Sequence, residues 1–160
     1  MKYAFFPGCT MASRLQHAEK SIRMVAPKFD IDLVDLPFTC CPEPNAIRAM
    51  SDDTWLIFAA RNIALAEAEG LNILTACAGC HESLSLAKHE LDEKAERKDK
   101  VNEILKDLGL EYKGTSSIIH MHGRFLNKIR VRYGMAIKLK KPRSMNPLYT
   151  PAAGKNCGMP

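Results

Sequence analysis

Short apolar runs alternate with longer amphipathic stretches along the first two thirds of the chain. Tyr3-Ala4-Phe5-Phe6, Ile31-Asp32-Leu33-Val34-Asp35-Leu36 and Leu71-Asn72-Ile73-Leu74-Thr75 are short and rich in aromatic or branched residues, so they read as strands. Pro7-Gly8 stops the first and Pro37 the second. Between them, Leu15, Ala18, Ile22 and Val25 recur at helical spacing, which predicts a helix over about 12–26 closed by Pro27. Ser51-Asp52-Asp53 predicts a helix start, with carboxylates at the positive end of the dipole. That helix runs through Trp55, Phe58, Ile63 and Leu65, with Gly70 as its stop. A long charged helix is expected over 81–108, laced by Glu90–Lys94 and Glu96–Lys100 pairs. Leu110-Glu111-Tyr112-Lys113 is expected as a short fourth strand, followed by a basic helix over 117–140.

Strand and helix therefore alternate, which predicts an α/β fold: a small parallel sheet with flanking helices and right-handed crossovers. Residues 1–140 are expected to form one domain and 141–160, rich in Pro, Gly and small residues, an extended tail. In open α/β sheets, sites collect beyond the carboxyl ends of the strands.

Composition narrows the class. A chain of 160 residues with 46% apolar content can bury a core without disulfide staples. No apolar run approaches the ~20 residues of a membrane span. The opening residues, quickly broken by Pro7-Gly8, do not read as a secretion signal, so a cytoplasmic location with reduced thiols is expected. Charge is uneven. All 18 acidic residues lie at or before Glu111, whereas from Tyr112 onward there are ten Lys and Arg and no acid. The plainest reading is a solvated basic helix face; docking on an acidic partner is the next. Nucleic acid is disfavoured, because such a patch is only a sequence-independent signal and no recognised motif accompanies it.

Cysteine spacing carries the chemistry. Cys9, the adjacent pair Cys40-Cys41, and Cys77 with Cys80 form the pattern C-x30-CC-x35-CxxC. All five fall just beyond the ends of the three strands, so segments far apart in sequence are expected to converge at one sheet edge. Thiolates suit zinc, Cu(I) and iron–sulfur clusters. A CxxC pair alone is compatible with zinc, clusters and dithiol redox centres. Zinc normally takes four ligands in two spaced pairs. An adjacent pair cannot easily fill two corners of one tetrahedron but can reach different irons, and a set of five thiolates favours an iron–sulfur cluster of unusual shape over zinc. A zinc-stabilised structural domain is the weaker alternative.

The segments Phe5-Phe6-Pro7-Gly8-Cys9, Cys40-Cys41-Pro42 and Thr75-Ala76-Cys77-Ala78-Gly79-Cys80 resemble the cysteine-rich domain of the heterodisulfide reductase B-component family, over about residues 1–130. The resemblance implies a non-cubane [4Fe–4S] cluster ligated by Cys9, Cys40, Cys41, Cys77 and Cys80, with one thiolate bridging two irons. It implies reduction of the coenzyme M–coenzyme B disulfide, with electrons arriving singly from a partner iron–sulfur subunit that resembles the C component of such reductases. Two departures stand out. Pro42 replaces the family's usual glycine after the pair, which removes a backbone N–H. The family usually carries two such motifs, with the substrate between two clusters, and here there is one. A complete two-cluster site would then need a homodimer, a second cysteine-rich subunit or a continuation of the chain. Cys157 is not followed by a second pair and reads as a tail thiol.

His81, directly after Cys80, is a candidate donor to a cluster sulfur or to a product thiolate, though a solvent-exposed helix-start histidine is the plainer reading. His120 and His122 are expected on a helix facing different ways, and make a poor metal pair. His17 and His89 have no visible partners. Glu43 and Asn45 are candidates for a substrate mouth, and Trp55 and Phe58 read as core. Phosphate-binding glycine motifs, G-x-S-x-G and H-E-x-x-H are absent from the sequence, so nucleotide and hydrolase chemistry have no support. Two functions compete: a catalytic subunit reducing a disulfide, and a non-catalytic electron-transfer or assembly subunit that docks through its basic C-terminal helix.

Overall fold

The computed structural model describes residues 1–42 and 47–125. Its sheet has four strands: β1 (Lys2–Phe6), β2 (Asp32–Asp35), β3 (Asn72–Thr75) and β4 (Ile118–His120), in the order β2-β1-β3-β4. Every pairing is parallel, with Ala4 opposite Val34 on one side and Ile73 on the other. The expected α/β architecture with flanking helices is the one observed. Helices are α1 (Cys9–Arg14), α2 (Gln16–Val25), α3 (Ile47–Met50), α4 (Asp52–Ala68), α5 (Ala78–Glu93) and α6 (Ala95–Lys106), with a further helical turn at 121–125.

Period-two alternation explains the layering. Ala4, Phe6 and Ile73 face one core, with Trp55, Ile63, Leu84, Leu91 and Leu105 of α4, α5 and α6. Tyr3, Phe5 and Leu74 face a smaller core with Met11, Ala26, Ile31 and Met121. The central strand β1 is thus buried on both faces, as parallel strands usually are. Among the described residues no helix is long and apolar enough to cross a membrane.

The start of α4 matches the sequence reading. Ser51 caps it, its hydroxyl accepting from the Thr54 N–H at 3.2 Å, and Asp52 and Asp53 occupy the first turn. Gly70, at φ 64°, follows its end. Other expectations need correction. The helix expected over 12–26 is two helices: Gly8 caps a first one beginning at Cys9, and Leu15 leaves the helical region at φ −120°, ψ 41°. Leu15 is consequently exposed.

The long helix expected over 81–108 breaks at Lys94, which is extended (φ −116°, ψ 91°) and ends α5 while capping α6. The break lets Val101 and Leu105 return to the core and lets Arg97 reach both Asp52 and Glu90. The pairs Glu90–Lys94 and Glu96–Lys100 do form, at 3.7 and 3.6 Å.

Leu110–Lys113 is no strand. Its backbone is held by a side chain: the Tyr112 N–H donates to Asn102 Oδ1 at 2.8 Å, and Asn102 Nδ2 donates to the Tyr112 carbonyl at 3.1 Å. Tyr112 itself is fully buried, and its hydroxyl donates to Asp92 at 2.8 Å. The fourth strand comes later, at Ile118–His120, where a helix was expected; helix begins only at 121. Glu67 on α4 delivers it there, accepting the N–H groups of Lys113, Thr115 and Ser116. Phe58 is exposed rather than core, while Trp55 is fully buried. Glu43, Asn45, Cys157, the basic stretch beyond 125 and the expected tail at 141–160 lie outside the described residues.

Candidate metal centre at the strand ends

Parallel pairing puts the carboxyl ends of β2, β1 and β3 side by side, and each delivers cysteines from the segment that follows. Cys9 opens α1, Cys40 and Cys41 lie in the irregular segment after β2, and Cys77 caps α5 with Cys80 in its first turn. None of the five is in a disulfide. They form one connected row: Cys40 lies against Cys9 and Cys41, and Cys80 lies against Cys41 and Cys77. Buried Cys41 and Cys80 stand in the middle of the row, with exposed Cys40 and Cys9 on one side and half-buried Cys77 on the other. Among the described residues no group of three or more His, Cys, Asp and Glu side chains is arranged to hold a single metal ion.

Two features of this row test whether it suits a sulfur-ligated metal group. The first is charge. Burial and the adjacent Cys41 and Cys9 push the Cys40 thiol above its ordinary range, and contact with Cys41, burial and Cys77 raise Cys80 further. Thiols this close cannot ionise together unless positive charge lies among them, which a metal supplies. The second is space. Gly8 has φ 75°, and a Cβ there would stand 2.7 Å from the Cys80 sulfur. Only glycine lets the β1–α1 turn pass this close to the thiol. The donor set fits a thiolate-ligated group. The α5 N-terminus adds a favourable dipole at Cys77 and Cys80.

The segments carrying the thiols are held from the core side. Asn62 of α4 is fully buried. Its Oδ1 accepts the Thr39 N–H at 2.9 Å, and its Nδ2 donates to the Cys40 carbonyl at 3.0 Å. Ser83 of α5, also fully buried, donates to the carbonyls of Cys41 and Pro42 at 2.5 and 2.6 Å and accepts from the indole N–H of Trp55 at 2.9 Å. Thr75, at the end of β3, accepts the Cys77 N–H at 3.3 Å. None of these three stood out in the sequence. The available signal was a polar residue inside an apolar helical stripe, as at Asn62 among Ala59, Ala60, Ile63 and Ala64.

His81 is half-buried beside the row, and its ring stacks edge-on against His120, with centroids 5.8 Å apart. Burial and the His120 charge hold its imidazole below the ordinary histidine range, against a hydrogen bond to Ile118. His120 lies on β4, not on a helix, so this His81–His120 pairing was invisible to helical spacing. His122 donates its N–H to His120 Nδ1. His17 is exposed, and His89 meets Glu93 at 3.4 Å on the surface. An apolar recess of about 240 Å³ opens beside Cys9 and Cys40, walled by Phe6, Pro7, Ala12 and Phe38. A second recess of about 220 Å³, between α4 and α6, contains no cysteine.

The model of the cysteine-rich CCG domain family matches residues 3–85. The chain is 41% identical over 121 residues to the B component of the ferredoxin/F420H2-dependent CoB–CoM heterodisulfide reductase of Methanosarcina acetivorans, a match covering 75% of this chain and 40% of that one. It is 34% identical over 144 residues to the 8-methylmenaquinol:fumarate reductase membrane anchor subunit of Wolinella succinogenes, covering 89% of this chain and 49% of that one. Among solved structures, a hypothetical protein from Helicobacter pylori superposes with a TM-score of 0.70 at 26% identity, over 77% of this chain and 24% of the other. Each match thus spans less than half the length of the curated relative. Matched cysteine segments, the strands that carry them and the identity to reductase components agree: the chain belongs to the cysteine-rich CCG domain family, as a relative of the heterodisulfide reductase B component.

Proposed function

We propose that Cys9, Cys40, Cys41, Cys77 and Cys80 together hold a [4Fe–4S] cluster of non-cubane form, and that the chain serves as a subunit of a heterodisulfide reductase-like oxidoreductase. One observation carries the reading: five cysteines from three strand ends, none in a disulfide, stand in one series of contacts. When bound, such a cluster supplies one-electron storage and a soft site for sulfur.

The overall reaction is reduction of a disulfide of the coenzyme M–coenzyme B type: two electrons and two protons enter, the S–S bond breaks, and two thiols leave. Electrons come singly from a partner iron–sulfur subunit. In this reading Cys41 and Cys80 are the buried middle of the ligand row, while Cys9 and Cys40 border the open side. Substrate approach from that side is supported by the apolar recess walled by Phe6, Pro7, Ala12 and Phe38. Burial and His120 disfavour the charged form of His81, which makes it a candidate hydrogen-bond donor at this edge. Reduced thiols suit a cytoplasmic setting.

A second reading, an electron-transfer or assembly subunit without disulfide chemistry of its own, is favoured by the charge asymmetry, with ten Lys and Arg and no acid from Tyr112 onward. Anaerobic purification with iron and sulfide counts and EPR of the oxidised protein tests both. Iron with sulfide is expected, and Cys40→Ser or Cys41→Ser should abolish the visible absorbance; zinc in place of iron refutes both. Disulfide reduction by the isolated chain with an artificial donor separates the first reading from the second.

A further inference from the structure

Of the four buried polar side chains among the described residues, three bond the backbone of a cysteine-bearing segment: Asn62, Ser83 and Thr75. The fourth, Ser116, bonds Leu71 instead. Burying a polar side chain is unfavourable unless its partners are supplied, so this concentration is informative. The segment from 36 to 42 belongs to no helix or strand. Several of its backbone polar groups are met by side chains that reach in from α4 and α5.

We propose that Asn62 and Ser83 are positioning residues for the cysteine pair, fixing the carbonyls of Cys40 and Cys41 from two different helices and so setting the direction of both thiols before any metal arrives. Asn62 is suited to this because one amide both accepts from Thr39 and donates to Cys40, which locks two successive residues. Ser83 has a single proton. The Trp55 indole occupies its acceptor side, which directs that proton to the Cys41 and Pro42 carbonyls. Trp55 is in turn covered by the Arg48 guanidinium, 4.4 Å from the ring, and Arg48 bonds Asp52 and Glu90. A chain of contacts thus joins the surface ion network of α3, α4, α5 and α6 to the backbone of the pair. An adjacent pair needs such support more than a CxxC pair does. Cys77 and Cys80 inherit their geometry from α5, whereas Cys40 and Cys41 have no regular element to orient them. Partners that orient ligands from outside commonly change metal affinity by about 10–100-fold when removed.

The effect on metal retention rests on the cluster reading above; the effect on the thiols themselves does not. Two full-chain variants, Asn62→Asp and Ser83→Ala, are compared with wild type below their melting temperatures. Asn62→Asp keeps the acceptor for Thr39 and loses the donor to Cys40; Ser83→Ala removes one hydroxyl. In the reduced apoprotein, iodoacetamide alkylation is followed residue by residue by mass spectrometry, with Cys9 as internal reference. Cys41 alkylation relative to Cys9 is expected to rise by about tenfold, the factor that loss of one buried hydrogen-bond partner carries. In the anaerobically loaded protein, release of iron to a chelator is expected to quicken by about 10–100-fold, with altered EPR g-values. An unchanged Cys41-to-Cys9 ratio in both variants overturns the proposal, even where melting temperatures fall. A raised ratio in a protein whose wild type binds zinc rather than iron upholds the positioning role and refutes only the cluster reading.

Discussion

Gly8→Ala tests the geometry of the cysteine row most directly. Gly8 sits at φ 75°, ψ 163°, a backbone region open essentially to glycine alone. Forcing alanine there costs about 1–3 kcal/mol in backbone strain. The added Cβ would also stand 2.7 Å from the Cys80 sulfur and 3.7 Å from Cys77 Cβ. Cys80 is buried in the first turn of α5 and cannot swing aside freely, so relief of the overlap adds about 1–3 kcal/mol. The sum, about 2–6 kcal/mol, is a large part of the about 5–15 kcal/mol typical of a domain.

The assay is urea unfolding of the reduced apoprotein under argon, read by far-UV circular dichroism, with midpoints compared at constant slope. A double-mutant cycle with Cys80→Ala separates the two terms, because alanine at position 80 lacks the sulfur that the new methyl would strike. Gly8→Ala should cost less in the Cys80→Ala background by the overlap term, about 1–3 kcal/mol. Equal cost in both backgrounds would refute the claim that Gly8 makes room for Cys80. A cost below about 0.5 kcal/mol, the level of an ordinary surface change, would refute the strain as well.

At Asp52, burial raises the carboxyl, but hydrogen bonds and charge from Arg48 and Arg97 outweigh it and hold the group below its ordinary range. Its contribution is therefore complete above the unfolded value near pH ~4 and disappears as pH falls through the lower folded value. Urea midpoints measured between about pH 5 and pH 2 should fall less steeply in Asp52→Asn than in wild type. Glu67→Gln turns an amide group against N–H donors now shared by two carboxylate oxygens. A loss of about 1–3 kcal/mol is expected, with faster hydrogen exchange at Lys113, Thr115 and Ser116. Tyr112→Phe removes the hydroxyl bond to Asp92 while keeping the buried ring. A loss of about 0.5–1.5 kcal/mol in thermal or urea unfolding is expected, and a loss several times larger would mean that the ring packs differently.

Local sequence decided a good deal here. Three apolar runs and their Pro and Gly stops specify β1, β2 and β3, because strand periodicity and turn chemistry act within a few residues. Ser51 with two aspartates marks the start of α4 for the same reason: a cap is satisfied by neighbours three residues away. From alternation alone the sheet is parallel, and from parallel pairing the cysteines must share one edge. The spacing of Cys9, Cys40, Cys41, Cys77 and Cys80 then marks the family, as the match over residues 3–85 bears out.

Tertiary structure decided what depends on partners distant in sequence. Leu110–Lys113 has strand-like composition, yet its backbone bonds go to Asn102, and the ladder position passes to Ile118–His120 through Glu67, 49 residues before Ser116. Lys94 breaks a stretch with good helical propensity, because Arg97 finds Asp52 and Glu90 only after the turn. The burial of Cys41 and Cys80 and the exposure of Cys9 and Cys40 have no local signature either. Nor do the roles of Asn62, Ser83 and Trp55: a polar side chain in an apolar stripe signals a buried partner, and only the folded chain supplies it, as the backbone of Cys40 and Cys41.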